Sequence, residues 1–222
     1  MRKTGIMFLG VFLLAVSASP GWAATYTLFD WAFNVDGTLA EYFGGDAMPV
    51  AGTLTDGLGT LTWTTNDAGN HNFIAFFDYE IDEEVNTFFN ETGANNGVLA
   101  AGQSWEIDEP GWGSEGYVGD IYGHVLAGSL DNSNGLPGPN DVSTALGWNF
   151  VLAEGETALI TLFIMDEMPA SGFYLQQFDP DSNASIYLAS TVEIQPIPIP
   201  ETLLLLGSGV LGLFGFRRRL WK

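Results

Sequence analysis

The chain has 222 residues with 27 Asp or Glu, 6 Lys or Arg and no cysteine, giving a formal net charge of −21. All six basic residues (Arg2, Lys3, Arg217, Arg218, Arg219 and Lys222) lie at the two ends, and only one acid, Glu201, does, so residues 24–195 carry 26 acids and no Lys or Arg. That middle region has no cations to neutralise phosphates, which excludes nucleic acid and anionic lipid surfaces as partners, and without cysteine it has neither a disulfide framework nor a zinc-thiolate site.

In chain order, the first predicted element is a secretory signal peptide over residues 1–23. Arg2 and Lys3 form its positive end, Ile6 to Val16 its apolar run, and Gly21-Trp22-Ala23 a small-residue cleavage site ending at Ala23. The run is shorter than the ~20 residues a membrane span needs, and Pro20 stops it.

Residues 24–195 form one passenger domain whose periodicity is two rather than 3.6. Strands are predicted at Tyr26–Phe33, Thr60–Thr64, Asn72–Glu84, Ala145–Leu152, Ala158–Met165, Gly172–Phe178 and Ser185–Ile194. In the Asn72–Glu84 stretch, Phe73, Ala75, Phe77, Tyr79 and Ile81 share one face. Asp78, Glu80 and Asp82 share the other, which predicts a half-buried strand with an acidic outer face. Asp36-Gly37, Gly44-Gly45, Asp56-Gly57, Asn95-Asn96-Gly97, Asn134-Gly135 and Glu154-Gly155 mark turns. A short helix is predicted over Glu83–Phe89. Gly102–Asn140, rich in Gly, Asn, Pro and Asp, reads as a long surface excursion and the first place to look for a site. The fold class expected is all-β: a jelly-roll-like β-sandwich flanked by a signal-peptide helix and a short C-terminal transmembrane helix.

The last segment, residues 196–222, is a sorting tail. Pro196, Pro198 and Pro200 make a stiff extended spacer. Uncharged residues 202–216 form a short transmembrane helix, and Arg217, Arg218 and Arg219 close it on the cytoplasmic side. Pro200-Glu201, the Leu203–Gly212 stretch and the arginine cluster together resemble a PEP-CTERM sorting signal, although Thr202 stands where the family's second proline would be. The resemblance implies recognition by an exosortase-type protease in the inner membrane, with Pro200, Glu201 and the three arginines as the sorting residues. It also implies delivery to the cell surface or an exopolysaccharide (biofilm) matrix outside the cell. The passenger resembles a domain recurrent in PEP-CTERM proteins, through Tyr79–Glu83, Asn86–Glu91, Gly102–Asp108, Ala145–Trp148 and Asp179–Ser182. That likeness supports the architecture and implies no activity.

Three chemistries are weighed in the passenger. Glu80, Asp82 and Glu84 are similar to the E-x-D-x-E strand of a jelly-roll family of retaining β-glucan hydrolases, where the first Glu is nucleophile and the last is acid/base. Against that stand the short passenger and a near copy at Glu106-Ile107-Asp108-Glu109. A solvated acidic strand face is the reading preferred, and the protein is expected not to be an enzyme. Asp179, Asp181 and Asn183 open like a calcium loop, but Ala184 and Ser190 depart from the EF-hand pattern. Ca2+ is the one cofactor considered, and a local turn is the plainer account. Trp105, Trp112 and Tyr117 offer rings for stacking on sugars, the basis of a carbohydrate-binding alternative; core packing explains them equally well. His71 and His124 give no zinc pattern.

Overall fold

The computed structural model describes residues 24–111 and 118–197. Along the chain run β1 (Tyr26–Val35), β2 (Thr38–Glu41), β3 (Ala51–Thr55), β4 (Leu58–Thr65), β5 (Gly69–Ile81), β6 (Thr92–Asn96), β7 (Gln103–Asp108), α1 (Ile121–Ala127), β8 (Ser133–Asn134), β9 (Ser143–Leu152), β10 (Glu156–Met165), β11 (Tyr174–Asp179) and β12 (Ala184–Pro196). They make two six-stranded sheets, in the order β2-β1-β5-β9-β7-β8 and β3-β4-β10-β12-β11-β6. Every pairing between named strands is antiparallel except β7 with β8. The all-β expectation is met, with each predicted strand present.

The period of two explains the core. Phe73, Phe77, Tyr79 and Ile81 of β5 lie in one apolar cluster with Phe33, Trp105, Leu146 and Trp148 of the same sheet. Leu61, Ile160, Leu162, Leu175 and Leu188 of the second sheet complete it. Phe33 packs edge-on against Phe77, with ring centroids 5.8 Å apart, and against Phe73 at 6.0 Å. Two hairpins turn where Asp-Gly predicted. Asp36-Gly37 (φ 52° and 81°) joins β1 to β2, and Asp56-Gly57 (φ 51° and 80°) joins β3 to β4. Two residues of positive φ match the twist of a two-residue hairpin. At Gly57 a Cβ would stand 2.2 Å from the Tyr26 carbonyl oxygen, so glycine is required on both counts.

Four expectations need correction. The outer face of β5 is not solvated. Ala32, Ile74, Phe76 and Ala145 form a second apolar cluster there, closed by Ile121 and Val125 of α1 and by Leu130. The first sheet is therefore covered on both faces around β5. The strand also stops at Ile81, because Asp82 takes φ 55° and starts a turn. In place of the Glu83–Phe89 helix there is that turn, closed by Val85 and Asn86 N–H on the Asp82 carbonyl. A 3-10 turn over Phe88–Asn90 follows, capped by Thr87, whose hydroxyl accepts from Phe89 N–H at 3.3 Å. Lastly, Gly102–Asn140 is not a surface excursion throughout. Its first part is the buried strand β7, which sends Trp105 and Ile107 into the main core, and a later part is α1.

Candidate functional site

Strand register lines up side chains that are far apart in sequence. Asp30 of β1 pairs with Asp78 of β5, Asp78 with Ser143 of β9, and Ser143 with Asp108 of β7. On an antiparallel ladder such partners project from the same face. The row therefore crosses four strands on the side that carries α1. Beyond it, the β5–β9 register, extended two residues further, sets Glu80 against Asp141, two residues before β9. On β7, Glu106 is in the adjacent row, beside Ala145 and Phe76. All of these carboxylates are buried, with Asp78 0%, Asp141 2% and Glu80 4% exposed.

Buried carboxylates need donors, and the chain supplies them unevenly. Glu106 is paired at both oxygens, with His124 Nδ1 at 2.7 Å and Asp131 N–H at 3.0 Å. Asp108 accepts from the N–H of Glu109 (2.9 Å) and of Asp120 (3.1 Å), and Gly135 packs so closely on it that a Cβ would be 2.7 Å from the carboxyl. Glu109 accepts from Val118 N–H at 2.9 Å and from the Asn140 amide. Behind the row, Glu91 takes the N–H of Ile81 and the amide of Gln177.

The β5–β9 end of the row is different. Ser143 Oγ donates to Asp78 Oδ1 at 2.9 Å. Asp78 Oδ2, Glu80 Oε2 and Asp141 Oδ1 are sealed from water and have no hydrogen-bond partner. Burial, with the neighbouring Asp141, holds the Asp78 carboxyl well above the usual carboxylate range. Burial, with Asp141 and Glu83, pushes Glu80 up to about 8. Burial, with Glu109 and Glu83, pushes Asp141 up to about 7. Desolvation dominates each shift because it disfavours the charged form, and the surrounding charges are all negative.

A second cluster lies beside the row, where His124 of α1 meets Glu106 of β7. Among the described residues, Glu106, Asp120 and His124 form the one set of three whose ligand atoms lie within 4.8 Å of one another. His124 Nδ1 stands 3.6 Å from Asp120 and 3.9 Å from Asp131. The bond to Glu106, assisted by the other two acids, raises the His124 imidazole above its ordinary value. Burial outweighs the same bond at Glu106 and raises that carboxyl too. The pair accounts for itself as a His–Glu hydrogen bond. The sequence spacing gave no sign of it beyond the i,i+4 relation of Asp120 and His124.

The expected site residues are not brought together. Glu80 is a buried strand residue. Asp82 lies in the turn, where its Oδ1 accepts from Thr25 N–H (2.7 Å) and Oγ (2.9 Å), and Glu84 is exposed beyond it. The three carboxylates therefore share no strand face, because the strand they required ends at Ile81. In the proposed calcium loop, Asp179 is fully buried. Its oxygens already accept from Asp181 N–H, Ser182 N–H (3.0 Å each), Ser182 Oγ and Asn86 Nδ2 (2.5 Å each). Asp181 accepts from Asn90 at 2.8 Å, and Asn183 takes φ 59°. This is a turn built on Asp179. Trp105 belongs to the core, so it presents no ring to a sugar. Trp112 and Tyr117, along with Ala23, Pro200, Glu201, Arg217, Arg218 and Arg219, lie outside the described residues. Within them no helix is long and apolar enough to cross a membrane. No family model, curated protein or solved structure matches the chain.

Proposed function

We propose that the chain is an exported protein of the cell surface or extracellular matrix. In this reading it is sorted through its 196–222 tail by an exosortase-type protease and serves a structural or adhesive role among exopolysaccharides. The observation that carries it is the division of charge: every Lys and Arg belongs to the two ends, and the domain between has 26 acids and none. A basic n-region and a basic stop after an apolar stretch are what export and membrane retention require. A strongly acidic passenger suits a hydrated, soluble life outside the cell. A jelly-roll-like description of the passenger is supported by five connections that change sheet: β2–β3, β4–β5, β5–β6, β6–β7 and β9–β10.

Intact mass of the exported protein tests the pathway. Trypsin finds no Lys or Arg between Lys3 and Arg217, so the mature passenger stays whole through digestion. The expected mass begins at Ala24 and lacks residues 202–222. A mature mass that retains the arginine cluster would contradict processing by a sorting protease.

A second reading, carbohydrate binding, is supported by one feature. Tyr42 and Phe43 are exposed, Phe43 by 68%, and lie edge to face at 5.3 Å beyond the end of β2. Exposed rings held by a neighbour make a stacking surface for sugars. Glycan-array retention that is lost in Phe43→Ala is the result this reading expects; no retention by the wild type would end it.

A further inference from the structure

We propose that Asp78, Glu80 and Asp141 hold one divalent metal cation, calcium by chemical class, at the β5–β9 end of the first sheet. The argument begins with three carboxylate oxygens, Asp78 Oδ2, Glu80 Oε2 and Asp141 Oδ1, that are shut off from water and have no partner. Unpaired buried carboxylates are among the costliest arrangements a protein can contain. In and around the row, the other buried carboxylates meet N–H groups, amides or an imidazole. Here it supplies a single serine hydroxyl.

Among the described residues, no side chain furnishes the missing positive charge. Residues 24–195 contain no Lys or Arg. The histidines are engaged elsewhere, His71 with Asp36 and the Asp67 carbonyl, His124 with Glu106. The titratable groups that face the three carboxylates are Asp30 on β1, Glu83 in the turn after β5, Glu91 after the 3-10 turn, and Glu109 after β7; all are acids. A proton on each carboxyl removes charge. A cation removes charge and also gives each oxygen a partner.

The chemistry selects the ion. Three carboxylates, each able to bind through one or both oxygens, and the Ser143 hydroxyl beside them form an all-oxygen donor set. Calcium accepts 6–8 oxygens in irregular geometry, whereas magnesium demands a tight octahedron and keeps its waters. The three oxygens are more widely spread than the ligand atoms of Glu106, Asp120 and His124. The proposal therefore requires the side chains of Glu80, one residue from the end of β5, and Asp141, two residues before β9, to turn toward Asp78 when the ion binds. The position is internal, so the ion would brace the sheet and leave surface acids to meet other partners. The inference does not depend on export or sorting, and its failure would leave those readings untouched.

Calorimetry of the full chain in detergent micelles tests it, with calcium chloride titrated into chelator-stripped protein at pH 7 and magnesium chloride in parallel. The expected result is one saturable calcium site. Binding should release protons, seen by repeating the titration in buffers of different ionisation heat, and tighten as pH rises. At 100-fold excess over Kd the melting temperature should rise by about 5 to 10 °C. Asp141→Asn and Glu80→Gln should each weaken binding by about tenfold or more, because calcium affinity follows ligand charge. Asp181→Asn, in the turn at the end of β11, should leave it unchanged. Absence of calcium binding by the wild type would overturn the proposal, as would binding that neither Asp141→Asn nor Glu80→Gln alters. If those variants fail to fold, a crystal of the wild type grown in calcium decides: an anomalous peak held only by surface acids, with none beside Asp78, Glu80 and Asp141, overturns the assignment.

Discussion

In chelator, the folded protein is expected to lose stability steadily as pH rises from about 5 to 8. The sign follows from where the protons are held. Glu80 and Glu91 titrate near 8 in the folded chain and Asp141 near 7, with Asp78 also raised, all through burial first. Unfolded, the same carboxyls titrate near ~4. Between those limits the folded state binds more protons than the unfolded state. The resulting stability is fully present below the unfolded values and is lost as pH climbs through the folded ones. Each group contributes at most about 1.4 kcal/mol per pH unit. Local relaxation toward solvent as the carboxyls ionise reduces this, so a total fall of roughly 3–5 kcal/mol is the expected scale. Urea midpoints at pH 5, 6, 7 and 8 measure it. A flat or rising profile would mean that these carboxyls ionise freely in the folded state.

Replacing Phe77 by alanine is expected to cost about 3–5 kcal/mol, the range for deleting a ring from a packed core. Phe77 is 1% exposed on β5, the strand flanked by β1 and β9 in the first sheet. It meets Phe33 at a near-perpendicular 89° and Tyr79 at 6.3 Å. Tyr79 is not free to fill the space, because its hydroxyl is tied to the Gly57 carbonyl at 2.7 Å. Since domains of this kind are stable by only about 5–15 kcal/mol, the variant should be near its folding threshold. Equilibrium unfolding at pH 6 checks the figure; a loss below ~1 kcal/mol would contradict a core shared between the sheets.

The strand pattern was legible because half of it is local. Alternation in Phe73–Ile81 and the Asp-Gly pairs report period and turn directly. Burial of the second face is written there too. Phe73-Ile74-Ala75-Phe76-Phe77 is a continuous apolar run, the mark of a strand covered on both sides. The alternating acids of Asp78 and Glu80 drew attention to a solvated face instead. α1 is not legible because a seven-residue helix interrupted by Gly123 carries little periodic signal. β2, β3, β6 and β8 are two to five residues long and were lost for the same reason.

The candidate site was hidden for a different reason. Glu80 was singled out from its neighbours in sequence, Asp82 and Glu84. Its structural neighbours are Asp78 and Asp141, and the second depends on how β5 pairs with β9. Register is a non-local property that no single stretch of sequence specifies. The charge count, by contrast, was fully readable. A domain with 26 acids and no Lys or Arg can neutralise a buried carboxylate only with a histidine, a proton or a cation from outside.

The most direct measurement is a crystal structure of the protein grown in calcium, with anomalous data collected to identify the ion. The account predicts an anomalous peak between Asp78, Glu80 and Asp141, with oxygen ligands at about 2.3–2.6 Å. Density showing the three carboxyls hydrogen-bonded to one another, with no ion among them, would contradict it.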